Sequence, residues 1–214
     1  ATNSNAPIGS WVQGLLVYNL ANAGTAPNNV VANQFYYSNG SHWVAVGSVT
    51  GWGLLGNAGT TDGQNFIGTT DAVPLTFRVK NAQAGRIDSA LANAFFGYLA
   101  GNANTTGSFN TAGGNNALRF NTIGISNTAI GASALDSNTT GSNNTAIGSA
   151  TLIANTSGGS NTANGASALR ANTIGTNNTA SGVSALRFNT SGSSNTANGL
   201  GALRNNTTGN SNTA

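Results

Sequence analysis

The stretch NTAIGASALDSNTTGSN, residues 127–143, is followed at once by NTAIGSATLIANTSGGS, residues 144–160. Aligned on Asn-Thr-Ala, the same frame recurs every 17 residues from Asn110 onward, and an earlier unit that begins at Asn93 carries Phe in place of small residues. Seven full units occupy residues 93–211. A fixed period of this length predicts stacked copies of one structural unit.

Several positions of the unit never change. Counted from its first residue, position 1 is always Asn, positions 5 and 15 are always Gly, and positions 12 and 13 are always Asn-Thr; position 8 is Ala and position 9 is Leu in six of the seven units. The asparagines expected to form ladders are Asn110, Asn127, Asn144, Asn161, Asn178 and Asn195 at position 1, and Asn121, Asn138, Asn155, Asn172 and Asn189 at position 12. The glycines expected to form turns include Gly131, Gly148, Gly165 and Gly182 at position 5, and Gly141, Gly158, Gly175 and Gly192 at position 15.

The two glycines of each unit predict backbone bends that need either a positive φ or the close approach of another chain segment. Two segments between the bends are expected to be extended, at positions 1–4 and 8–13. A helix is not favoured, because Gly, Asn, Ser and Thr are poor helix formers and each Gly costs about 1 kcal/mol relative to Ala. Each unit therefore predicts one coil of an elongated all-β solenoid or β-roll, stacked about 4.8 Å above the last.

Within such a coil, the Ala of position 3 and the Leu of position 9 are the expected inward residues. The Asn of positions 1 and 12 can stack on their own copies and satisfy buried amide groups, each of which would otherwise cost about 1–3 kcal/mol. Position 10 changes freely, so we expect it to face water.

One thin coil buries too little apolar area to offset about 1–2 kcal/mol of backbone entropy per residue, so many coils must stack or several chains must associate. Position 4 indicates where chains could meet, because it is apolar in the early units and polar in the later ones. Along the chain it reads Phe96, Gly113, Ile130, Ile147, Asn164, Ser181 and Asn198.

Residues 1–92 do not follow the repeat, so the predicted organisation is a β-rich module at 1–92 and the solenoid at 93–214. Three segments with aromatic and β-branched residues, bounded by Gly, Asn and Pro, predict strands: 14–19, 33–47 and 74–81. Within the second of these, Asn39-Gly40 predicts a hairpin turn.

The units NTAIGASALDSNTTGSN and NTASGVSALRFNTSGSS resemble the NTA-x-G-x-x-AL-x-x-NTTG repeats of trimeric bacterial surface adhesins and phage-like tail fibres. The upstream GLLVYN and YYSNGSHWV resemble segments that precede such repeats, so the similarity runs from about residue 14 to the end. It implies a homotrimeric structural fibre, extracellular or on the cell surface, or alternatively on a virion tail. Such a fibre projects or adheres, with a surface glycan or receptor as its partner and end-to-end filaments as a further option.

The chain offers little for catalysis. It has no Cys, one His (His42), and four carboxylates that are well apart in sequence between Asp62 and Asp136. A nucleophile needs a general base within reach, and the repeats lack the Asp-rich pattern of calcium-binding coils. We therefore expect no enzymatic activity, no cofactor and no metal site.

Charged residues make up 5% of the chain, with seven cations against four Asp. Arg170, Arg187 and Arg204 are one repeat apart, but the other cations are scattered, whereas a phosphate backbone is bound by a clustered stripe. Nucleic acid is therefore not the expected partner. The sequence contains no run of 18 apolar residues, so no membrane span is predicted.

Two alternative functions follow from other features. Thr recurs at positions 2 and 13, and regular Thr rows on a flat solenoid face could order water as an ice-binding surface. The aromatic residues of the first module, chiefly Trp43, Tyr36 and Tyr37, could instead stack on sugars in a carbohydrate-binding module, although aromatic residues of a small β module are more often core.

Overall fold

A computed structural model describes residues 16–19, 34–38, 43–45 and 67–214. These residues form strands and turns, with no helix among them. The chain divides into two compact units, Ala1–Ile67 and Gly68–Ala214. The prediction of an all-β chain with a solenoid of 17-residue spacing is confirmed.

The first unit contains an antiparallel sheet of three strands: β1 (Leu16–Asn19), β2 (Gln34–Ser38) and β3 (Trp43–Ala45), in that order. Strands β2 and β3 pair antiparallel with Ser38 opposite Trp43, as the predicted hairpin requires. The predicted turn at Asn39-Gly40 lies outside the described residues. The sequences of β2 and β3 contain the aromatic and β-branched residues that are enriched in strands.

The second unit contains one sheet of nine strands in chain order from β4 to β12. They are β4 (Leu75–Val79), β5 (Ala82–Asp88), β6 (Asn93–Phe96), β7 (Thr111–Gly113), β8 (Thr128–Ile130), β9 (Thr145–Ile147), β10 (Thr162–Asn164), β11 (Thr179–Ser181) and β12 (Thr196–Asn198). The pairs β4–β5 and β5–β6 are antiparallel, and every later pair is parallel. The change falls at Asn93, the first residue of the first repeat.

Strand β5 is absent from the sequence prediction, because AQAGRID has few residues with high strand propensity. It forms because β4 and β6 pair with it on its two sides. The hairpin of β4 and β5 thereby supplies the main-chain partners that the first repeat strand would otherwise lack.

Each 17-residue unit, called a rung below, contributes one strand at positions 2–4. The rungs stack in register, with the Thr of position 2 opposite the Thr of the next rung and Ala of position 3 opposite Ala from β7 to β12. Seven rungs at strand separation extend about 30 Å along the stacking axis.

The prediction of a second extended segment at positions 8–13 is wrong. That part of each rung is a run of turns in which N–H groups donate to carbonyls three residues earlier. In the second rung these bonds are Ala117 N to Gly114 O (3.3 Å), Arg119 N to Asn116 O (3.3 Å) and Asn121 N to Leu118 O (3.1 Å). The intervening N–H groups donate to the next rung, as Leu118 N does to Ala134 O at 3.0 Å.

Positive φ angles at non-glycine residues explain this turn chain. The Leu of position 9 has φ between 45° and 51° in all six rungs that carry it, and position 7 also lies in the left-handed region. A positive φ at the third residue of a turn is the type II geometry, usually supplied by Gly or Asn. For Leu it costs about 1–2 kcal/mol, which burial of the side chain, worth about 1.5–3 kcal/mol, offsets.

The apolar core consists of three columns, at positions 3, 8 and 9. The inward assignment of positions 3 and 9 is confirmed, whereas the buried Ala column of position 8 was not predicted. The Ala of position 3 and the Leu of position 9 are buried in the inner rungs. Thr151 replaces Ala at position 8 of the fourth rung, and its hydroxyl donates to the Gly165 carbonyl at 2.8 Å, so this polar atom is satisfied inside the core.

The first rung fills the same space differently. Phe95 occupies position 3, where later rungs have Ala, and Gly101 occupies position 9, where they have Leu. A Cβ on Gly101 would overlap the Phe95 ring, so the large side chain and the missing one compensate each other across the coil.

The two invariant glycines have different causes. Position 5 has φ between 127° and 135°, and at Gly165 an added Cβ would also lie 2.5 Å from the Gly182 carbonyl oxygen. Position 15 has no such φ. There an added Cβ would instead overlap the position 12 Asn amide of its own rung and the carbonyl of the next rung's glycine, as at Gly141.

Candidate functional site

The asparagines of position 1 form a continuous internal ladder. From Asn110 to Asn212, each backbone N–H donates to the Oδ1 atom of the Asn one rung earlier, at 2.8–3.1 Å. From Asn127 onward the Nδ2 atom donates to the same oxygen at 2.9–3.2 Å. The side chains from Asn110 to Asn195 are fully buried. Every Nδ2 and Oδ1 atom of these buried amides therefore has a hydrogen-bond partner.

The asparagines of position 12 form a second ladder. Each Nδ2 from Asn121 to Asn206 donates to the Oδ1 atom of the preceding rung at 2.8–3.0 Å. Its other hydrogen goes to the carbonyl of the position 15 glycine in its own rung. Asn is the side chain of this length that offers two donors and an acceptor, which explains its invariance.

Both ladders meet at the carbonyl of the position 15 glycine. In the third rung, Asn127 Nδ2 and Asn138 Nδ2 both donate to Gly141 O at 2.9 Å. The same glycine has no room for a side chain, because the Asn138 amide lies against its Cα. Two invariant asparagines and one invariant glycine thus form a single hydrogen-bonded unit that repeats along the stack.

The Thr of position 13 belongs to this framework. Its hydroxyl donates to the carbonyl of the next Thr in the column, at 2.9–3.2 Å from Thr105 to Thr190. The same carbonyl accepts main-chain N–H groups from the preceding rung: Thr139 O, for example, accepts from Thr122, Ile123 and Gly124. This column therefore holds rungs together and does not present free hydroxyls.

The Thr of position 2 differs from that column. The residues are Thr111, Thr128, Thr145, Thr162, Thr179 and Thr196, in register on the outward face of the sheet. Their side chains are exposed or half-buried, and none of their hydroxyls bonds to another described residue.

Position 4 lies beside this row on the outward face. Phe96, Ile130 and Ile147 are 52%, 42% and 42% exposed, and Gly113 between them leaves room for the Ile130 side chain. Through Gly85, which pairs with both Phe96 and Phe77, the row reaches exposed Phe77 on β4. From β10 onward the row turns polar, with Asn164, Ser181 and Asn198.

The prediction that position 10 faces water is wrong for Asp136, which is buried. Asp136 is 8% exposed and forms an ion pair with Arg119 of the preceding rung, with Arg119 Nε 2.9 Å from Oδ1 and Nη2 donating to Oδ2 at 3.1 Å. Burial raises the pKa of the Asp136 carboxyl, while the Arg119 charge and its hydrogen bond act in the opposite direction. The net rise shows that loss of water outweighs the attraction to Arg119.

The residues predicted as ligand contacts lie in the first unit. Tyr36 and Tyr37 are in β2 and Trp43 is in β3, with Tyr37 paired to Val44. His42 lies outside the described residues. Among the residues that the structure does describe, no three His, Cys, Asp or Glu side chains come together in a way that could hold a metal ion. No helix in that same part is long and apolar enough to cross a membrane.

The sequence prediction missed three features of this site. The Arg119–Asp136 pair could have been found, since the two residues occupy the same position of successive units. The compensating sizes of Phe95 and Gly101 can also be read from the sequence, once positions 3 and 9 are known to face each other. For the role of the position 13 hydroxyl, the invariance of Thr is the only indication in the sequence.

Comparison of the chain with protein-family models, with curated proteins and with solved structures returns no match. The class of the protein therefore follows from its own architecture. It is a β-solenoid repeat protein whose invariant residues bond rung to rung.

Proposed function

We propose that the protein is a structural segment of an extracellular or cell-surface fibre, with a virion tail fibre as the alternative location, and that its work is to project or adhere. The observation that carries the proposal is the use of the invariant residues. Every invariant position of the repeat serves the stack: Asn and Thr bond between rungs, the Gly of position 15 leaves room for the Asn amides, and the Gly of position 5 lets the next rung's backbone approach. The variable positions mostly lie outside, where they can change without loss of the rod.

We further propose that the fibre is a homotrimer, in which copies of the chain meet along the apolar part of position 4. Exposed Phe77, Phe96, Ile130 and Ile147 form one row across neighbouring strands. Burial of this row against other copies would remove apolar area from water at about 25 cal/mol per Å². The resemblance of the repeats to trimeric fibre proteins supplies the number of chains.

Electron microscopy of the purified chain, together with its mass from analytical ultracentrifugation, tests the proposal. We expect rods with the mass of three chains. Ile130→Asn with Ile147→Asn, which copies the residues found at position 4 of later rungs, should shift the mass toward one chain. Globular monomers of the unsubstituted protein at high concentration would contradict it.

Ice binding is a second candidate, favoured by the row of unbonded hydroxyls at position 2. Between β10 and β12 these Thr stand beside polar position 4 residues on a regular parallel sheet. Thermal hysteresis of the purified chain decides between the two functions. A hysteresis that Thr179→Leu abolishes would favour ice binding, whereas freezing behaviour equal to that of a control protein would remove it. Sugar binding through Trp43, Tyr36 and Tyr37 stays a prediction.

A further inference from the structure

Three arginines of the solenoid carry charges that no described residue neutralises. Arg170, Arg187 and Arg204 occupy position 10 of three successive rungs. Residues 137–214 contain no acidic side chain, and these three arginines are the only charged residues of that stretch. All the charge of the later rungs is thus positive and lies in one column.

The second and third rungs carry a different arrangement at the same position. Arg119 has a carboxylate on the next rung, with Nε 2.9 Å from the Asp136 carboxylate. The rung after Asp136 carries Ile153 at this position, and the arginines follow from there. A like charge on the neighbouring rung is unfavourable, so this arrangement favours an anion that comes from outside the chain.

Hydrogen bonds between rungs hold the backbone of this column. Main-chain bonds tie position 11 of one rung to position 10 of the next: Ala171 N donates to Arg187 O at 2.9 Å, and Phe188 N to Arg204 O at 3.1 Å. The buried leucines at position 9 anchor the backbone immediately before Arg170 and Arg187. Successive arginine Cα atoms are therefore held about one strand separation, roughly 4.8 Å, apart.

One aromatic ring lies against the guanidinium groups of two of these arginines. The Cζ atoms of Arg187 and Arg204 both lie 5.3 Å from the centre of the Phe188 ring. This distance is within the range of cation–π contact. Arg187 Nε is buried and has no hydrogen-bond partner, while Arg170 and Arg204 are exposed on either side. Arg187 therefore lies between two arginines whose side chains are exposed.

We infer that this column binds an extended acidic polysaccharide through its sugar carboxylates. A guanidinium offers paired donors that match a carboxylate in a bidentate contact. In an extended two-fold polysaccharide the carboxylates of alternate sugars lie on one side of the chain, at about twice the separation of neighbouring strands, so they would meet Arg170 and Arg204, which are two rungs apart. The inference rests on the proposed surface fibre in naming a polysaccharide, while the arginine column stands on geometry alone.

Nucleic acid fits the column less well. The arginines form a single file and not a broad stripe, whereas single strands are bound by a basic groove with aromatic platforms for the bases. The nearest ring, Phe188, already lies against two guanidinium groups. No other aromatic residue lies in residues 189–214.

Binding of the full chain to polygalacturonate, measured by calorimetry over a series of salt concentrations, tests the inference. Arg170→Gln with Arg204→Gln removes two exposed column charges, and Arg78→Gln with Lys80→Gln removes two exposed charges elsewhere, so both variants fall from net +3 to +1. We expect the column variant to lose about tenfold or more in affinity. The slope of log K against log salt should fall by roughly two. The control variant should bind within about twofold of the unsubstituted chain.

Four outcomes would overturn the inference: no binding by the unsubstituted chain, equal losses in both double variants, equal binding of methyl-esterified polygalacturonate, or tighter, column-dependent binding of oligothymidylate. Arg170→Gln alone, at an exposed side chain, repeats the test if the double variant has a lowered melting temperature. The result is separable from the fibre proposal, because a monomer that binds polygalacturonate retains the site and removes the trimer. A trimer that does not bind polygalacturonate retains the fibre proposal and removes the site.

Discussion

The first rung and the six that follow it solve one packing problem in two ways. In the later rungs a small Ala at position 3 faces a buried Leu at position 9, and the Leu backbone is held at a positive φ. In the first rung Phe95 fills the core from the strand side, and Gly101 occupies position 9 with φ 59°. The backbone path is therefore the same in both. The side chain that fills the core comes from the strand in the first rung and from the turns in the later rungs.

This difference shows what the repeat conserves. Each rung requires one large apolar side chain in the core and a residue with a positive φ at position 9. In the later rungs the Leu of position 9 meets both requirements. In the first rung Phe95 meets the former and Gly101 the latter. The Gly of the first rung adopts its φ without strain, whereas each later Leu does so at a cost that its burial offsets. The first rung also differs in its neighbours, since β5 pairs with it antiparallel.

The largest effect is expected from exchanging the two solutions. Phe95→Ala should cost about 3–5 kcal/mol, because it empties the core of the first rung. Gly101→Leu should also destabilise, because its side chain would overlap the Phe95 ring. The double variant recreates the later rungs and should recover most of the loss. Hydrogen exchange of the β6 and β7 amides, with denaturant unfolding of all four proteins, measures the coupling. Additive losses would contradict the compensation.

A second substitution tests the turn at position 5, which the two kinds of rung share. Gly148→Val should cost about 2–5 kcal/mol, because φ is 127° there and a Cβ would lie 2.8 Å from the Gly165 carbonyl carbon. Arg170→Ala, at an exposed position, should change stability by less than about 0.5 kcal/mol. Equal melting temperatures for the two variants would show that fixed and variable positions are wrongly assigned.

A third substitution tests the polar framework that is common to every rung. Asn121→Ala should cost about 2–4 kcal/mol, since it leaves Asn104 Oδ1 without its donor and deprives Asn138 Nδ2 of one of its two acceptors. Asn115→Ala in the same rung removes an exposed amide and is the matched control. Hydrogen exchange resolved by rung should place the loss on the first three rungs, which these two bonds join. Equal protection in both variants would show that the asparagine ladder does not contribute to the stability of the stack.

The smallest effect concerns the variable column and its one buried carboxylate. Because the folded-state pKa of Asp136 lies above its unfolded value, its contribution to stability is fully present below the unfolded pKa and is lost as pH rises through the folded pKa. Between about pH 3 and pH 6, urea unfolding of the unsubstituted chain should therefore lose more stability than that of Asp136→Asn. Asp71→Asn, at an exposed carboxylate, serves as the control. A pH profile unchanged by Asp136→Asn would contradict the raised pKa.

The sequence by itself determined the period, two of the three inward columns and the two asparagine positions, because identical amide groups repeated at one interval can hydrogen-bond to one another only when they are stacked. It also indicated strands β1 to β4 through aromatic and β-branched residues. Only the tertiary structure decided that positions 8–13 turn instead of extending, since a Leu in a turn looks like a Leu in a strand until its burial is known. Strand β5 and the buried state of Asp136 likewise depend on neighbours that are distant in sequence, and local propensity carries no record of such neighbours.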